Sequence, residues 1–486
     1  MLLKDMERAV SILCEAVDTG KKIRIVGDYD IDGVCSTYIL LQAFERLGSD
    51  VDFEIPDRIK DGYGINESII EQAHADGVEV ILTCDNGISA FHQVELAKKY
   101  GMMVVITDHH EVPLDGEKEK IPPADAVIDP KQADCPYPFP EICGAVVAYK
   151  LVQVLYARRG VPQMEWLDLL EFAAIATVGD VMKLQDENRI LVKYGLKKMA
   201  QTKNLGLRRL AEKNNLDLGA ITAYHIGFVI GPCLNAGGRL KTAKEALALL
   251  RAQSEEEAER LAEELKELND TRKDMTEQGT EAAKLQVESW YQKDKVLVVF
   301  LPECHESLAG IIAGRLREYY QKPAIVLTRG EEAVKGSGRS IDEYHMFKKL
   351  TEVSDLLLKF GGHPLAAGLS LEEKNIDEFR RRLNENAGLT EEDFKAKVWI
   401  DVPMPVGYVT ERLVRELSCL EPFGQGNEKP LFAEKSLRIR ASRVLGRNRN
   451  VVKMTLEETD GHAIEALYFG DGTAFEEERA GRREID

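Results

Sequence analysis

The sequence lacks the patterns that mark membrane proteins, disulfide-rich secreted proteins and zinc-binding modules. No stretch of about 18 apolar residues occurs, so no membrane-spanning helix is expected. The 8 cysteines are scattered without a C-x-x-C pair, which argues against a disulfide framework and a zinc knuckle. The N-terminal segment interrupts its apolar residues with charged ones at helical spacing, unlike a signal peptide. We therefore expect a cytoplasmic protein with reduced thiols.

Basic residues are also outnumbered by acidic ones. The chain has 486 residues, with 64 Lys and Arg against 83 Asp and Glu, and a formal net charge of -19. This balance is not typical of a general nucleic-acid coat protein, so any contact with nucleic acid must be local. The sequence has no G-x-x-x-x-G-K-S/T loop, so we expect no ATP-driven step in this chain.

Four segments follow one another along the chain. Short apolar runs alternate with helical patterns over residues 23–130, which predicts a parallel sheet wrapped by helices. The next part is mostly helical and continues into a long polar stretch without proline, which predicts a connecting helix. The alternation then resumes as a second α/β domain, and short strand-like runs at the end predict a small β-barrel. The fold class is therefore α/β, and the predicted segments are residues 1–253, 254–290, 291–392 and 393–486.

Acidic residues follow three of the predicted parallel strands. They are Asp28, Asp30 and Asp32 after one strand, Asp85 after another, and Asp108, followed by His109 and His110, after a third. Open α/β sheets place their sites at the carboxyl ends of strands, so these side chains should meet at one edge. Their mutual repulsion would be costly unless cations neutralise it. Carboxylates with imidazole suit Mn²⁺, or Mg²⁺, and shared carboxylates can hold two ions about 3.5 to 4 Å apart, which activate water and clamp a phosphodiester.

Two simpler interpretations compete with a metal centre. The stretch from Asp28 to Gly33 matches the opening of a calcium-binding EF-hand loop, but Ile39 stands where that loop needs Glu, and a strand precedes it. A single Asp at a strand end is usually only a helix N-cap, and adjacent histidines are often incidental. Three coinciding strand ends argue against both interpretations.

The motifs GDYDIDG, TCDNGIS, TDHH and ATVGDVMKL resemble, in order and spacing, four motifs of the DHH phosphoesterase family. The resemblance implies that Asp28, Asp30 and Asp85 hold one Mn²⁺. It implies that a second Mn²⁺ is held by Asp32, Asp85, His109 and Asp180. Asp85 would then bridge the two ions, Asp108 would orient His109, and His110 would face the phosphate.

Five further segments resemble those of the RecJ-like exonucleases in the same order: GPCLNAGGRLKTA, CHESLAGIIAGRL, VKGSGRSID, KFGGHPLAAGLSL and LEPFGQGNEKPLF. The resemblance implies a DHH domain, a DHH-associated domain and a C-terminal OB-fold. It also implies 5′ to 3′ degradation of single-stranded DNA in repair and recombination, with a helicase and a single-strand-binding protein as partners. The implied substrate-binding residues are Arg58, Asn235, Arg239, His305, Ser337, Arg339, His363, Arg447 and Arg449.

The 5′ terminal phosphate would be gripped by Arg58, Ser337 and Arg339. Relatives usually have arginine where this chain has Cys233, so we expect a weaker preference for that phosphate. Glycines in residues 335–340 and 360–363 would let backbone approach a ligand closely, although a pair of tight turns is the alternative.

Basic residues cluster in one part of the last segment: Arg438, Arg440, Arg443, Arg447, Arg449 and Lys453. OB-folds bind single strands through a positive groove and stacking faces. The alternative is a set of solvated basic strands, with Tyr468 and Phe469 in the core.

Two rival functions stay open. One is a DHH phosphodiesterase for short oligonucleotides or cyclic dinucleotides, which would not need the last segment. The other is a catalytically silent nucleic-acid-binding scaffold, against which the intact acidic positions speak.

Overall fold

A parallel sheet occupies the first part of the chain. In the computed structural model, which describes residues 2–479 and 481–485, the strands of this part are β1 (Ile23–Val26), β2 (Val51–Glu54), β3 (Val80–Cys84), β4 (Met103–Thr107), β5 (Leu114–Asp115), β6 (Lys118–Glu119) and β7 (Ala126–Ile128). Five of them pair in parallel in the order β2-β1-β3-β4-β7, and β5 pairs with β6 as a hairpin. β1 and β3 are buried along their whole length, as expected of strands covered on both faces.

Helices cover this sheet and then extend beyond it. They are α1 (Met6–Thr19), α2 (Ile31–Arg46), α3 (Glu67–Ala75), α4 (Phe91–Lys99), α5 (Gly144–Arg159), α6 (Gln163–Leu167), α7 (Leu170–Gly179), α8 (Asp186–Met199), α9 (Leu205–Lys213), α10 (Ala223–His225), α11 (Gly231–Leu240) and α12 (Lys244–Leu250). A π-helix, Ile226–Ile230, joins α10 to α11. A large core that includes Phe44, Tyr149 and Leu247 lies on one side of the sheet, and a second core, which contains residues of α3 and α4 such as Ile70 and Val94, lies on the other side.

The long polar stretch folds as the predicted connecting helix, α13 (Glu255–Gln286), which continues as a π-helix over Val287–Tyr291. Ser254 caps its start by accepting a hydrogen bond from the backbone N–H of Glu257 at 3.2 Å. Its buried stripe contains Ala258, Leu261 and Leu265, so one face packs while the charged face meets solvent.

A second sheet follows, with mixed strand directions and the order β11-β12-β10-β9-β8. Its strands and helices are β8 (Leu297–Phe300), α14 (Glu306–Tyr320), β9 (Ala324–Arg329), β10 (Val334–Arg339), α15 (Met346–Thr351), β11 (Leu357–Gly362), β12 (Ala366–Leu371) and α16 (Ile376–Glu385). The alternative that the two glycine-rich segments form tight turns is wrong, because they are largely the strands β10 and β11. A Cβ at Gly336 would lie 2.6 Å from a Leu327 side-chain carbon, so the glycine accommodates a close neighbour in the sheet.

The chain divides into two units, one ending at Ala396 and the other beginning at Lys397. The second unit contains β13 (Val402–Pro403), α17 (Glu411–Leu417), β14 (Phe432–Ala433), β15 (Leu437–Leu445), β16 (Val451–Glu457), β17 (Ala463–Phe469), α18 (Gly472–Arg479) and β18 (Glu484–Ile485). Four strands form the sheet β17-β16-β15-β18, which is half of a barrel, and Val452, Met454 and Leu456 supply its small core.

Two expectations from composition can be checked directly. All 8 cysteines are free thiols. No helix in residues 2–479 and 481–485 is both long and apolar enough to cross a bilayer.

Candidate metal centre and phosphate-binding cleft

The first acidic segment lies where β1 ends and α2 begins. Asp30 is the N-cap of α2, and its Oδ1 accepts hydrogen bonds from the backbone N–H groups of Asp32 and Gly33 at 2.9 and 3.1 Å. A Cβ at Gly33 would lie 2.3 Å from the Asp28 carbonyl oxygen, so only glycine lets the helix start this close to the strand. The N-cap interpretation is thus correct for Asp30, and the EF-hand interpretation is wrong because the chain passes straight from strand to helix.

Asp85 has a backbone conformation that non-glycine residues rarely adopt. Its φ is 62°, in the left-handed region, immediately after β3. The start of α5 presses against it, since a Cβ at Gly144 would lie 2.7 Å from the Asp85 Cβ. The backbone N–H groups of Gly144 and Ala145 each donate to the Asp32 carboxylate at 2.7 Å, so the N-terminus of α5 fixes a second acid. Strain of this kind is characteristic of functional sites.

His109 joins acids from three different elements. Its Nε2 lies 3.1 Å from the Asp85 carboxylate, 3.5 Å from that of Asp32 and 3.8 Å from that of Asp180. Asp180 is the residue directly after α7, so the helical part of the chain contributes to the same edge as the sheet. Burial lowers the pKa of His109, which favours the neutral imidazole that a metal ion needs.

The buried carboxylates repel one another. Burial, together with the charge of Asp30, raises the pKa of Asp28 to about 8. Burial, together with the charges of Asp32 and Asp30, raises the pKa of Asp180 to about 8. Asp85 has its pKa raised well above the ordinary range for the same two reasons. Such groups hold protons at neutral pH unless a cation replaces those protons.

Asp108 binds the ring of His110. Its Oδ1 lies 2.8 Å from His110 Nδ1, and Tyr63 Oη lies 3.0 Å from the same nitrogen. Burial opposes the charge on His110, but the hydrogen bond to Asp108 and its charge outweigh burial and raise the pKa of His110 to about 9. Asp108 also accepts the backbone N–H of His109, at 2.7 Å, but the ring that its carboxylate contacts is that of His110.

The donor atoms fit divalent cations. Among the described residues, four groups have ligand atoms that all lie within 4.8 Å of one another. Two of these groups contain the predicted metal ligands: Asp28, Asp30 and Asp85, and Asp32, His109 and Asp180. Asp85 is a member of the first group, and its carboxylate also lies 3.1 Å from the Nε2 of His109 in the second group. The buried Nδ1 of His109 has no hydrogen-bond partner among the described residues, so the contact of this ring with the acids is through Nε2. Carboxylate oxygens with one imidazole suit Mn²⁺ and Mg²⁺.

A cavity of about 570 Å³ lies between the first sheet's region and the second sheet, within the first unit. Arg58, Arg239, Ser337 and Arg339 are among its lining residues. Arg58 stacks over the ring of Tyr29 at 3.9 Å, and Arg339 Nη1 donates to Ser337 Oγ at 3.2 Å. Arg239 Nη1 donates to the Ser307 carbonyl at 2.9 Å, which links α11 to α14. Four of the predicted substrate residues therefore meet in one cavity.

Several arginines of this region are not paired with acids among the described residues. In the part of the chain that the structure describes, no carboxylate forms an ion pair with Arg58, Arg239, Arg272 or Arg339, although surface ion pairs are common elsewhere. Burial, reinforced by the charges of Arg58 and Arg272, lowers the pKa of Arg239 to about 10. Clustered guanidinium groups of this kind can bind an anionic ligand such as a phosphate.

The other predicted substrate residues lie elsewhere. His305 does not line the cavity; its Nδ1 binds Ser307 Oγ at 2.7 Å at the start of α14. His363 is exposed after β11 and does not line the cavity either. Arg447 and Arg449 are exposed in the turn between β15 and β16 of the second unit. Asn235 lines a smaller cavity, which it shares with Arg239.

Cys233 does not face the phosphate-binding cavity. Its side chain is fully buried, and its Sγ accepts a hydrogen bond from Asn269 Nδ2 of α13 at 3.3 Å. Residue 233 therefore lies outside the cavity that Arg58, Ser337 and Arg339 line, and the expected weaker preference for a 5′ phosphate stays a prediction. Residue 233 lies on the side of α11 that packs into the core, whereas Asn235 and Arg239 lie on the side that faces the cavities.

Sequence reasoning missed Tyr63, Gly144 and Arg272. Tyr63 follows the predicted Arg58 closely, and a tyrosine between two glycines at 62 and 64 was the available signal. Arg272 stands in a helix full of charged residues and carried no local signal.

Cavity size alone would misplace the site. A cavity of about 670 Å³ is lined by residues such as Tyr38, Glu171 and Asn204 and contains none of the clustered acids. We therefore identify the site from its acids, imidazole and unpaired arginines.

The basic cluster of the second unit is partly neutralised. Arg440 pairs with Glu457 at 2.6 Å, and Lys453 pairs with Glu465 at 2.8 Å. Arg438, Arg443, Arg447 and Arg449 have no ion-pair partner among the described residues. The alternative that Tyr468 and Phe469 belong to the core is wrong, because these residues are 37% and 74% exposed.

Comparison with known proteins gives three domain matches. The DHH family N-terminal domain matches residues 22–177, the DHHA1 domain matches residues 293–388, and the RecJ OB domain matches residues 400–485. They agree with the α/β fold and the C-terminal OB-fold expected from the sequence.

Curated proteins and solved structures give the same picture. The single-stranded-DNA-specific exonuclease RecJ of Bacillus subtilis is 38% identical over 97% of this chain, which spans 59% of that protein's length. The protein of the same name from Haemophilus influenzae is 34% identical over 97% of this chain, which spans 84% of its length. The crystal structure of RecJ from Thermus thermophilus with Mn²⁺ superposes with a TM-score of 0.81 at 30% identity, covering 96% of this chain and 71% of that one. Its Mg²⁺ complex gives 0.74 at 29% identity, with 96% and 70% covered.

Proposed function

The chain belongs to the RecJ family of single-stranded-DNA-specific exonucleases, and from this premise we propose that it hydrolyses single-stranded DNA from the 5′ end with divalent metal ions. The observation that carries the proposal is the placement of a buried acid and imidazole cluster beside unpaired arginines in one unit of the chain. The acids can bind divalent cations, and the arginines can bind phosphates. A phosphodiester can therefore be bound by the cations on one side and by the arginines on the other.

Two ions would be bound, preferably Mn²⁺, with Mg²⁺ as a substitute. Asp28, Asp30 and Asp85 would hold one ion. The other would be held by Asp32, Asp85, His109 and Asp180. When bound, divalent ions supply an activated water and a polarised phosphate. Asp30 can contribute to the ion with Oδ2, because its Oδ1 is occupied by the N-terminus of α2.

The remaining residues position the strand and balance its charge. His110, kept protonated by Asp108, would place a positive charge beside the phosphate under attack, while Tyr63 holds its ring. Arg58, Ser337 and Arg339 would bind the 5′ terminal phosphate, which carries more negative charge than an internal phosphodiester. A terminal phosphate held there sets the direction of hydrolysis.

Each predicted segment of the chain would have its own role. Residues 1–253 would carry the chemistry, 254–290 would connect, 291–392 would bind the substrate end, and 393–486 would hold the trailing strand through Arg447, Arg449 and their neighbours. A helicase and a single-strand-binding protein would be the partners, since this chain has no ATP-binding loop of its own.

The test uses strands of equal sequence labelled at either end, of DNA and RNA, incubated with Mn²⁺ or Mg²⁺ and sampled over time. The expected result is loss of mononucleotides from the 5′ end of DNA, abolished by EDTA. Cleavage of only dinucleotides or cyclic dinucleotides would favour the short-substrate phosphodiesterase instead. Binding without hydrolysis under every metal condition would favour the silent scaffold.

A further inference from the structure

A second, smaller cavity lies beside the acid cluster. Its volume is about 100 Å³, and it is lined by Gly179, Gly227, Gly231, Pro232, Asn235, Arg239 and Arg272. Gly179 directly precedes Asp180, so the cavity adjoins the predicted metal residues without containing any of them. Arg239 lines this cavity and also the larger one, which makes the two cavities neighbours.

Arg272 is held in place but not neutralised. Its Nε donates to Asn269 Oδ1 at 3.1 Å, and the same amide donates to Cys233 Sγ at 3.3 Å. Lys266 and Lys273 on the same helix both bind Asp270, so acidic partners are available on α13 yet none pairs with Arg272. Burial and the charge of Arg315 lower the pKa of Arg272, so the charged form of this guanidinium is destabilised and an anion beside it would be stabilising.

The other walls suit an anion. Asn235 has a buried Oδ1 without a hydrogen-bond partner among the described residues, and turning the amide over would present N–H donors instead. Three walls are glycines, so no side chain from them fills the space. A Cβ at Gly231 would lie 2.9 Å from the Ile226 carbonyl oxygen, so the chain could not easily carry a larger residue there.

Two exposed aromatic residues lie close in sequence to Gly227, one of the residues that line this cavity. Tyr224 and Phe228, on either side of Gly227, stack with ring centroids 4.7 Å apart and are 63% and 67% exposed. Nucleobases stack on such faces without regard to sequence, which makes a nucleotide of a strand a better fit than a free phosphate ion.

We propose that this cavity is a second phosphate subsite, in which Arg272, Arg239 and Asn235 bind an internal phosphodiester of the single strand. It is distinct from the pocket of Ser337 and Arg339 for the terminal phosphate. The inference rests on the proposed function, because it assumes a single-stranded substrate. Asn269 acts as a positioning residue for Arg272.

The test is a scan of neutral phosphate replacements. Strands with a 5′ phosphate carry one methylphosphonate at successive internal positions, and their affinity is measured by fluorescence anisotropy in EDTA, without turnover. Wild type should lose affinity about tenfold at one internal position, since charge-assisted hydrogen bonds are lost there. Arg272→Gln should weaken binding of the unmodified strand to a similar degree and should no longer respond at that position. A wild-type scan without a sensitive internal position, or an Arg272→Gln scan parallel to wild type, would overturn the proposal.

Matched variants separate the subsite from general charge and from folding. Lys273→Gln removes the same charge from the next residue of α13 and should keep the wild-type scan. Arg272→Lys should retain part of the sensitivity, and its melting temperature serves as the check if Arg272→Gln unfolds. The ratio of affinities for 5′-phosphorylated and 5′-hydroxyl strands should change less in Arg272→Gln than in Arg339→Gln. Absence of hydrolysis by wild type in Mn²⁺ would count against the proposed function alone, because the binding scan needs no hydrolysis.

Discussion

At the scale of single residues, Asp85 combines an unfavourable side-chain environment with an unfavourable backbone conformation. Its carboxylate is buried among other acids, and its backbone has φ of 62°. Alanine would be strained at this φ, whereas asparagine tolerates it. The Asp85→Asn substitution therefore removes the charge while keeping the backbone.

We expect Asp85→Asn to lower Mn²⁺-dependent hydrolysis by about 100-fold or more, because a ligand shared by both metal groups loses its charge. The metal-free variant should melt a few degrees higher than wild type, because burial of this acid destabilises the folded state, and each kcal/mol recovered raises the melting temperature of a unit of this size by about 1 °C. Nuclease rates and thermal melting in EDTA measure the two effects. Near wild-type hydrolysis would exclude Asp85 as the shared ligand.

Cys233 provides a second residue-scale prediction. An arginine here would have to be buried in a core position already filled by the thiol, next to Asn269. We expect Cys233→Arg to destabilise the protein by about 3 kcal/mol or more, as an unpaired buried charge does, and not to raise the preference for a 5′ phosphate. Urea unfolding and paired 5′-phosphate and 5′-hydroxyl substrates check both parts, with Cys233→Ser as the control that keeps the size. A stable variant with a stronger 5′-phosphate preference would contradict this.

At the scale of elements, the start of α5 positions the acids from behind. Gly144 leaves no room for a side chain, because a Cβ would lie 2.7 Å from that of Asp85. We expect Gly144→Ala to shift α5 and to weaken Mn²⁺ affinity about tenfold, as the loss of supporting contacts around ligands does. The control is Gly314→Ala in α14, where the nearest atom is 4.0 Å away. Isothermal titration with Mn²⁺ compares the two variants, and equal affinities would show that α5 does not position the ligands.

The same edge of the sheet makes stability depend on pH. The folded-state pKa values of Asp28 and Asp180 are about 8, above the value of about 3.9 in an unfolded chain. The folded state therefore binds protons that the unfolded state releases, and the free energy of unfolding of metal-free protein should fall as pH rises from about 4 to 8. Mn²⁺ should reverse the loss at high pH. Thermal melting at several pH values, with EDTA or Mn²⁺, measures this, and identical trends in both conditions would contradict it.

At the scale of the whole molecule, an acidic chain would rely on few local charges to hold a strand. Within the described part of the chain, Arg438, Arg443, Arg447 and Arg449 have no ion-pair partner, whereas Arg440 and Lys453 do. Replacing the four unpaired arginines by glutamine should flatten the salt dependence of long-strand binding by up to about 3 in the log–log slope. Replacing the paired Arg440 and Lys453 should change the slope less. Equal slopes for all three proteins would exclude the second unit from strand binding.

The sequence predicts much of the fold because its main signals are local. Apolar runs gave the strands of the first sheet, and the long stretch without proline gave α13, since periodicity and breakers determine such elements. The acids could be grouped because parallel strands end at one edge.

Side-chain orientation could not be predicted in the same way. The side of α11 on which Cys233 lies depends on how that helix packs against α13, and the partner of Asp108 depends on the turn after β4. Arg272 comes close to Arg239 only through tertiary packing. The predicted roles of the site residues therefore stay predictions, while their positions are now known.

Arg239 lines two cavities at once, and this has a consequence for epistasis. Ser337 and Arg339 share one cavity with Arg239, and Arg272 shares the other, so the free-energy costs of changes in the two cavities need not add. The loss caused by removing Arg239 itself cannot be divided between the two cavities. The effect of a substitution in one cavity therefore depends on which residues line the other, although the described linings share only the Arg239 side chain.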